Sequence, residues 1–292
     1  MTLPATLESR STGPLRLSDL VRLARRHRLV LIGGGLLALQ IGVALAAPLY
    51  AGDPGNMDPF KRLQPLSATM WFGSDNLGRD VFAQTTFGAR ISLLVGLLSA
   101  ACAAMVGLLI GILAGYNRTF DSVLMRVMDG LMSIPTILLA IALISLTGPG
   151  VGILIVAIAI PETPAVARLV RSTVLSVRER PYVEAALCGG ARLPKVLWRH
   201  ILPSTIPALM VQSATVCASA IMTEAALSFL GVGVPLEIPS WGNMIASSRL
   251  YLAIAPLTIF APGICLAVTV LAANMLGDGL RDMFDPRVKR RR

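Results

Sequence analysis

Few residues in this 292-residue sequence could activate a nucleophile, bind a metal ion or hold a phosphate group. The three lysines, Lys61, Lys195 and Lys289, do not end a glycine-rich turn of the kind that cradles nucleotide phosphates. The two histidines, His27 and His200, cannot form a His-Glu-x-x-His zinc motif, and the four cysteines contain no Cys-x-x-Cys pair. The sequence therefore predicts a chain that is not an enzyme and binds no metal ion, nucleotide or cofactor.

Two carboxylates lie within long apolar stretches, where an ionisable side chain is costly and often lines a transport path. Glu162 lies between Pro161 and Pro164, and two prolines this close predict a break in the helix with free carbonyl groups. A cavity-lining role and a capping or packing role for Glu162 remain equally open. Glu224 falls near the end of a later apolar stretch, where a structural role competes with a place on the pathway.

The composition is that of a protein whose main solvent is lipid. Hydrophobic residues make up 54% of the chain, charged residues only 14%, and the mean hydropathy is +0.71. A soluble domain carries about a quarter charged residues, and the same figures exclude disorder, collagen and a disulfide scaffold. The net charge of +10 does not indicate nucleic-acid binding, because the basic residues form blocks between apolar runs without interleaved aromatic residues. An all-α polytopic membrane protein is predicted.

Six stretches are long enough to cross about 30 Å of hydrocarbon. The first is too long for the apolar region of a cleaved secretory signal, so we expect it to be retained. Of the 26 Lys and Arg residues, 21 lie in the two terminal segments, in the loop after the second stretch and in the loop after the fourth. Because basic residues are in excess on the cytoplasmic side of membrane proteins, both termini are predicted to be cytoplasmic. The predicted spans are 29–49, 91–115, 123–147, 150–168, 205–229 and 253–277.

Three glycines repeat at intervals of four residues in the second predicted span, at Gly107, Gly111 and Gly115. This spacing leaves one helical face without side chains, so that a second helix can approach closely. We expect the partner to be another helix of the same bundle rather than a helix of a second subunit.

The loop after the fourth predicted span, about residues 178–203, has the pattern of a rigid elbow. Pro181 suits the first turn of a helix, and Gly189-Gly190 can end that helix in a left-handed turn. Pro194 then starts a second short helix, which Pro203 is predicted to terminate. The residues alone leave two interpretations open: a cytoplasmic docking elbow, or an amphipathic hairpin lying on the lipid surface.

The same loop resembles the EAA loop of bacterial ABC-importer permeases. The resemblance rests on Glu184-Ala185-Ala186, on Gly190 after three further residues, and on His200-Ile201-Leu202-Pro203. In that family the elbow lies in a cleft of a cytoplasmic ATPase and transmits nucleotide-driven closure to the spans. The residues that the resemblance assigns to ATPase coupling are Tyr182, Glu184, Ala185, Ala186, Gly190, Pro194, His200, Ile201 and Pro203.

Further stretches narrow the resemblance to the C-type permeases of dipeptide, oligopeptide and nickel importers. They are residues 72–82 with 88–93, and 224–233 with 239–243, and the likeness extends from about residue 20 to the tail. It implies a type I (MetI-like) importer permease fold with six spans. The implied division is a cytoplasmic segment 1–28, a first helix and extracytoplasmic loop 29–90, a five-helix core 91–280 and a basic tail 281–292.

The resemblance also implies the assembly and the location. A B-type permease would form the other half of the pore, two ABC ATPases would bind ATP and Mg, and an extracytoplasmic binding protein would deliver the solute across a bacterial cytoplasmic membrane. Peptides are the expected cargo, with nickel chelates, glutathione and haem-like solutes as alternatives, and an ion-coupled secondary transporter is the competing class. Besides Glu162 and Glu224, the pathway or gate candidates are Asp75, Arg79, Asp80 and Trp241, for which interfacial anchoring is the alternative.

Overall fold

The computed structural model describes residues 28–68 and 70–284, and their regular structure is helical apart from one isolated bridge between Ser74 and Asp80. The all-α prediction is therefore confirmed. A π-helical turn, Leu197–Ile201, joins two of the helices. The α-helices of these residues are α1 Arg28–Tyr50, α2 Val81–Tyr116, α3 Arg118–Met132, α4 Thr136–Thr147, α5 Val151–Arg178, α6 Pro181–Cys188, α7 Leu193–Val196, α8 Leu202–Phe229, α9 Trp241–Ser248 and α10 Leu257–Phe284.

Five stretches of the described chain are long and apolar enough to cross a membrane: α1, α2, α5, α10 and the continuous helical stretch Leu193–Phe229. The pair α3 and α4 passes the same test together, which gives six spans if the pair counts as one. The count of six therefore depends on a span that is broken.

The third predicted span, 123–147, is not one helix. Its two halves, α3 and α4, are bent by 93° relative to each other. Ser133 caps α3, with its N–H 3.2 Å from the Asp129 carbonyl, and Pro135 has no N–H with which to continue the helix. The charged residues of α3 also explain the bend, because Asp121 and Asp129 need polar partners that lipid cannot supply.

The second predicted span, 91–115, lies within a helix that is longer than the span itself. Helix α2 starts at Val81 rather than at residue 91, so the predicted division at residue 90 lies inside it. Polar residues lower the mean hydropathy of the start of α2, residues 81–90, but the threonine hydroxyls there donate to backbone carbonyls of the same helix. Thr85 Oγ1 donates to the Val81 carbonyl at 2.7 Å, and Thr86 Oγ1 donates to the Ala83 carbonyl at 2.9 Å.

The predicted break around Glu162 is wrong, because α5 continues through both Pro161 and Pro164 as far as Arg178. Membrane helices tolerate proline where neighbouring helices and hydroxyl side chains satisfy the freed backbone groups. Here α5 is packed between α2 and α8, and Thr163, which lies between the two prolines, adds a hydrogen bond from its Oγ1 to the Ala159 carbonyl at 2.8 Å. The prolines therefore do not end the span.

The glycine repeat of α2 lies directly against α5, as its spacing predicts. A Cβ added to any of the three glycines would lie 2.6 or 2.7 Å from a valine Cβ of α5, closer than real Cβ contacts. The two helix backbones are thus held together by shape, with valine side chains filling the space that the glycines leave. The pairs are Gly107 with Val166, Gly111 with Val170 and Gly115 with Val174.

The two ends of the described chain lie side by side. A Cβ on Gly279, near the end of α10, would be 2.6 Å from the backbone nitrogen of Val30 at the start of α1. At the other end of α1 the Tyr50 ring lies 5.9 Å from the ring of Phe82, so α2 begins on the opposite side of the bundle. Most of the predicted N-terminal segment, 1–27, and of the basic tail, 285–292, lies outside the described residues.

Candidate functional site

The first helix of the elbow and the turn after it form as Pro181 and Gly189-Gly190 predict. Pro181 occupies the first turn of α6, where its missing N–H costs nothing, and the helix ends at Cys188. Gly190 follows with φ of +79°, a left-handed conformation that favours glycine. The N–H of Ala191 then bonds to the Ala186 carbonyl at 3.0 Å, which satisfies one of the last free carbonyls of the helix.

The root of the elbow is fixed firmly to the spans. Val183 of α6, Val196 of α7 and Ile201 of the π-helical turn are all buried, and they share one apolar cluster with Val174 and Val177 of α5. The same cluster includes Val216 of α8, so the elbow is packed against both α5 and α8. Ile201 is 0% exposed, so any part that it plays in coupling must be as an anchor rather than as a contact to a partner.

The outer surface of the elbow is open. Glu184, Ala185, Pro194 and Pro203 are exposed, while Ala186 and His200 are half-buried. The Tyr182 ring packs 5.8 Å from the His200 ring, which ties the first helix of the elbow to the π-helical turn. Large apolar side chains exposed at one place mark a surface that contacts a protein or the membrane interface, and on the elbow they are Tyr182, Leu187, Leu193 and Trp198.

The sequence predicted that Pro203 terminates the second helix of the elbow, and this prediction is wrong. Pro203 lies in the first turn of α8, and helical structure continues from Leu193 to Phe229. The π-helical turn makes this possible, because the N–H of Leu202 bonds back five residues to the Leu197 carbonyl and reorganises the hydrogen bonds just before the proline. The elbow thus runs into the span without a flexible joint.

Glu162, the pathway candidate of α5, is half-buried and pairs with α8. Ser219 Oγ donates to Glu162 Oε1 at 2.6 Å. Ser219 also lines an open groove of about 460 Å³, together with Thr215 and Thr223 of α8 and Asn274 of α10. Polar side chains that recur every four residues, at positions 215, 219 and 223, could have predicted this groove from the sequence. This spacing marks one face of the helix, although hydropathy averaging conceals it.

Glu224, the second carboxylate, is fully buried. Ser92 Oγ of α2 donates to Glu224 Oε2 at 2.9 Å, and Ser228 Oγ donates to Glu224 Oε1 at 2.8 Å. Ser92 Oγ also accepts from the backbone N–H of Trp241 at 3.4 Å. The carboxylate and its serine partners therefore link α2, α8 and α9. The geometry places Glu224 at a packing centre, with no exposed surface toward a solute.

Trp241 is likewise buried, with 1% of its surface exposed, and its Nε1 donates to the Thr85 carbonyl at 3.0 Å. Anchoring at the lipid headgroups, the alternative for this residue, is therefore wrong, because the ring does not reach the surface. Trp71 is 62% exposed, and its ring packs against Phe82 at 4.9 Å.

Asp75, Arg79 and Asp80 form the turn that starts α2. The buried Asp75 carboxylate accepts from the N–H of Leu77 at 2.8 Å, from the N–H and Nε of Arg79 at 2.9 and 2.8 Å, and from Gln84 Nε2 at 3.0 Å. Asp80 caps α2 by accepting from the Phe82 N–H at 2.9 Å. Burial raises the pKa of the Asp80 carboxyl, and this hydrogen bond partly opposes the shift.

Replacing Asp75 with asparagine is expected to destabilise the segment that precedes α2. The new amide has the same shape, but its NH₂ group would face two of the four donors. We expect the free energy of unfolding to fall by about 2 kcal/mol. Thermal unfolding followed by tryptophan fluorescence measures the effect. Asp53→Asn is the matched control, because Asp53 is exposed and accepts one bond that an asparagine oxygen retains; equal midpoints for the two variants would contradict the prediction.

Two ion pairs that the sequence did not reveal join α3 to α5. Arg171 contacts both carboxylate oxygens of Asp121, with Nη2 at 2.6 Å from Oδ2, and Arg168 Nη2 lies 2.5 Å from Asp129 Oδ1. Such a bidentate pair fixes geometry as well as charge. The two pairs connect the first half of the broken third span to α5; Arg168 is the last residue of the predicted span 150–168, and Arg171 lies just beyond it.

These features define a class: a polytopic helical protein with a broken span and an elbow that is rooted in two spans and open on its outer face. The chain belongs to the family of binding-protein-dependent transport system inner membrane components, whose model matches residues 107–290. The family resemblance read from the EAA loop is thereby confirmed, and the chain is a membrane permease of the ABC transporters. As an inner membrane component it has several apolar helices and works with ATPase and substrate-binding partners.

Curated relatives match nearly the whole chain. The probable peptide ABC transporter permease protein y4tQ of Sinorhizobium fredii is 80% identical over 99% of this chain and 100% of its own length. The dipeptide transport system permease protein DppC of Alkalihalophilus pseudofirmus is 39% identical, covering 91% and 88%. The glutathione transport system permease protein GsiD of Pectobacterium atrosepticum is 38% identical, covering 99% and 96%.

A solved structure supports the fold independently. A chain of the inward-facing MetNI methionine ABC transporter superposes with a TM-score of 0.57 at 19% identity, covering 69% of this chain and 97% of its own. A likeness at this identity concerns the fold alone. It confirms the type I (MetI-like) importer permease fold that the sequence resemblance implies.

Proposed function

We propose that this permease forms half of the pore of an ATP-driven peptide importer and that its elbow receives the force of a partner ATPase. The observation that carries the proposal is the contrast within the elbow, whose root is buried against α5 and α8 while its outer surface is open. The peptide cargo is supported by the relatives that are 80% and 39% identical and are named for peptide and dipeptide transport.

The proposed assembly contains this chain, a B-type permease, two ATPases and an extracytoplasmic binding protein. In it the ATPases hold ATP and Mg, while this chain has no catalytic residue and binds no cofactor. Both termini and the elbow lie in the cytoplasm. The excess of Lys and Arg in alternate segments supports this orientation, and so does the contact of Gly279 with Val30 at the two described ends.

In the proposed cycle, ATP binding closes the ATPases and draws the elbow with them. Because Val183, Val196 and Ile201 are packed against α5, the displacement reaches the helix that carries Glu162. We assign the groove beside Ser219 to the solute pathway because it is open and is lined by the polar side chains of Thr215, Ser219, Thr223 and Asn274. A near-complete swing between two states requires a preference of about 5.5 kcal/mol, which ATP-driven closure must supply.

Reconstitution tests the proposal. The permease pair and its ATPases, placed in proteoliposomes with the binding protein outside, should take up a labelled dipeptide only when ATP is inside. Tagged permease should also co-purify the ATPases. Uptake driven by an ion gradient without ATPases would instead identify a secondary transporter and would overturn the proposal.

Cargo is decided by competition in the same proteoliposomes. Unlabelled di- and tripeptides are expected to suppress uptake, and glutathione is the second candidate because one relative of 38% identity is named for its transport. Suppression by a nickel chelate or by haem, but not by peptides, would contradict the peptide assignment.

A further inference from the structure

A cavity of about 460 Å³ lies where the segment before α2 meets the segment that leads into α9. Both segments lie outside the spanning helices. They are on the side opposite to the elbow, because α8 begins at the elbow and the second segment follows its other end. Asn76 and Leu77 line the cavity from the first segment, Leu236 and Glu237 from the second, and Asn243 from the first turn of α9.

Two amide oxygens at this cavity have no hydrogen-bond donor. Within residues 28–68 and 70–284, Asn76 Oδ1 and Asn243 Oδ1 are the two buried side-chain polar atoms without a partner, and both residues line the same cavity. Asn243 is only 6% exposed. A buried acceptor left without a donor costs about 1–3 kcal/mol, so two of them at one place point to an occupant that donates hydrogen bonds.

The orientation of the Asn243 amide is fixed by its surroundings. Its Nδ2 lies 3.0, 3.1 and 3.2 Å from the carbonyl oxygens of Val234, Pro235 and Ile238, respectively. Turning the amide over would set its oxygen against three other oxygens. The unpartnered atom is therefore the oxygen, and the missing group is a donor.

The charge and the rim of the cavity indicate what kind of donor fits. The Glu237 carboxylate is exposed and forms no salt bridge with any described residue, whereas Arg79 is already paired with Asp75. The cavity thus offers an unneutralised negative charge. Leu236, Met57 and Leu77 line the same cavity and are 67%, 55% and 38% exposed, so they form an apolar rim of the kind found at protein contact surfaces.

We infer that this cavity receives a lysine or arginine side chain of the extracytoplasmic binding protein, an inference that rests on the proposed function. The apolar stem of such a residue packs against Leu77 and Leu236, while its charged head donates to the amide oxygens of Asn76 and Asn243 and pairs with Glu237. The contact completes the hydrogen bonding that the permease alone leaves open. It also steers docking by charge.

Binding of the purified binding protein to the complete importer in lipid nanodiscs tests the inference. Asn76→Leu removes an acceptor that has no partner within the chain, so we expect about tenfold weaker binding with an unchanged or higher melting temperature. Asn76→Asp retains the acceptor and adds negative charge, so we expect binding at least as tight as wild type. Glu237→Gln is expected to weaken binding about fivefold at low salt and much less at high salt. Asp53→Asn, an exposed carboxylate that does not line the cavity, is the control and should bind as wild type.

The outcomes separate the inference from the proposed function. If the wild-type importer binds its binding protein and Asn76→Leu and Glu237→Gln bind equally well, the inference is overturned while the proposed function stands. If Asn76→Leu loses binding only in step with its melting temperature, the oxygen has a structural role and the inference is again overturned. If the wild-type importer neither binds a binding protein nor shows stimulated ATP hydrolysis, both fall together.

Discussion

Replacing Gly190 with valine is expected to reduce ATP-driven uptake at least tenfold while the permease still inserts and folds. A Cβ at this position meets no atom of the chain within 4 Å, so the added side chain causes no clash inside the subunit. It projects instead from the open surface of the elbow, where the ATPase is proposed to bind. The φ of +79° adds local strain of about 1–3 kcal/mol, because β-branched residues avoid the left-handed region.

Strain and lost docking are separated by a matched glycine. Gly231 also has a positive φ, +82°, and its Cβ would meet nothing within 4 Å, but it follows the other end of α8. We expect Gly231→Val to lower the melting temperature as much as Gly190→Val does, yet to co-purify the ATPases normally. Normal uptake by the Gly190→Val importer, or equal loss of ATPase binding in both variants, would contradict coupling through the elbow.

Replacing Gly111 with valine is expected to prevent correct packing of the bundle. The first carbon of any side chain would lie 2.6 Å from Val170 Cβ and 2.7 Å from the Ala167 carbonyl oxygen. A backbone oxygen within a helix cannot move aside, so α2 and α5 must separate along their whole contact. We expect a loss of about 3 kcal/mol or more in the free energy of unfolding, with little folded protein recovered from the membrane.

The control for this prediction is Gly42→Val in α1. Its Cβ would meet nothing within 4 Å, so the substitution changes the same residue types in a membrane helix without a clash. We expect its yield and its melting temperature in detergent to match those of wild type. If Gly111→Val were as stable as Gly42→Val, close contact between α2 and α5 would not be what holds the bundle together. Loss of folding in both variants would instead assign the effect to valine in a membrane helix.

The broken third span shows where pattern reading reached its limit. Residues 118–147 pass a hydropathy test as a whole, and the bend between α3 and α4 is explained by Pro135 together with the ion-pair partners of Asp121 and Asp129. Those partners, Arg171 and Arg168, lie about 40 to 50 residues further along the chain. Hydropathy counts each residue separately and therefore cannot report that two opposite charges neutralise each other.

The prolines show the same limit. The sequence predicted a break at Pro161 and Pro164 and a helix end at Pro203, and all three positions lie within helices. The local rule is sound for an isolated helix, in which a missing N–H leaves a carbonyl unsatisfied. Within the bundle, packing against α2 and α8 keeps α5 helical through its two prolines, and the π-helical turn rearranges the hydrogen bonds just before Pro203.

The sequence by itself determined the membrane class, the approximate spans, the glycine face of α2 and the elbow with its left-handed Gly190. Each of these depends on neighbours within a few residues: the length of an apolar run, a repeat of four, or the conformational range of glycine and proline. Only the tertiary structure decided that Glu224 is buried beside Ser92, that Glu162 pairs with Ser219, and that the oxygens of Asn76 and Asn243 are left without donors at one cavity. Those contacts join residues 57 to 167 positions apart, and the packing of whole helices sets them because no local preference specifies which distant side chains meet.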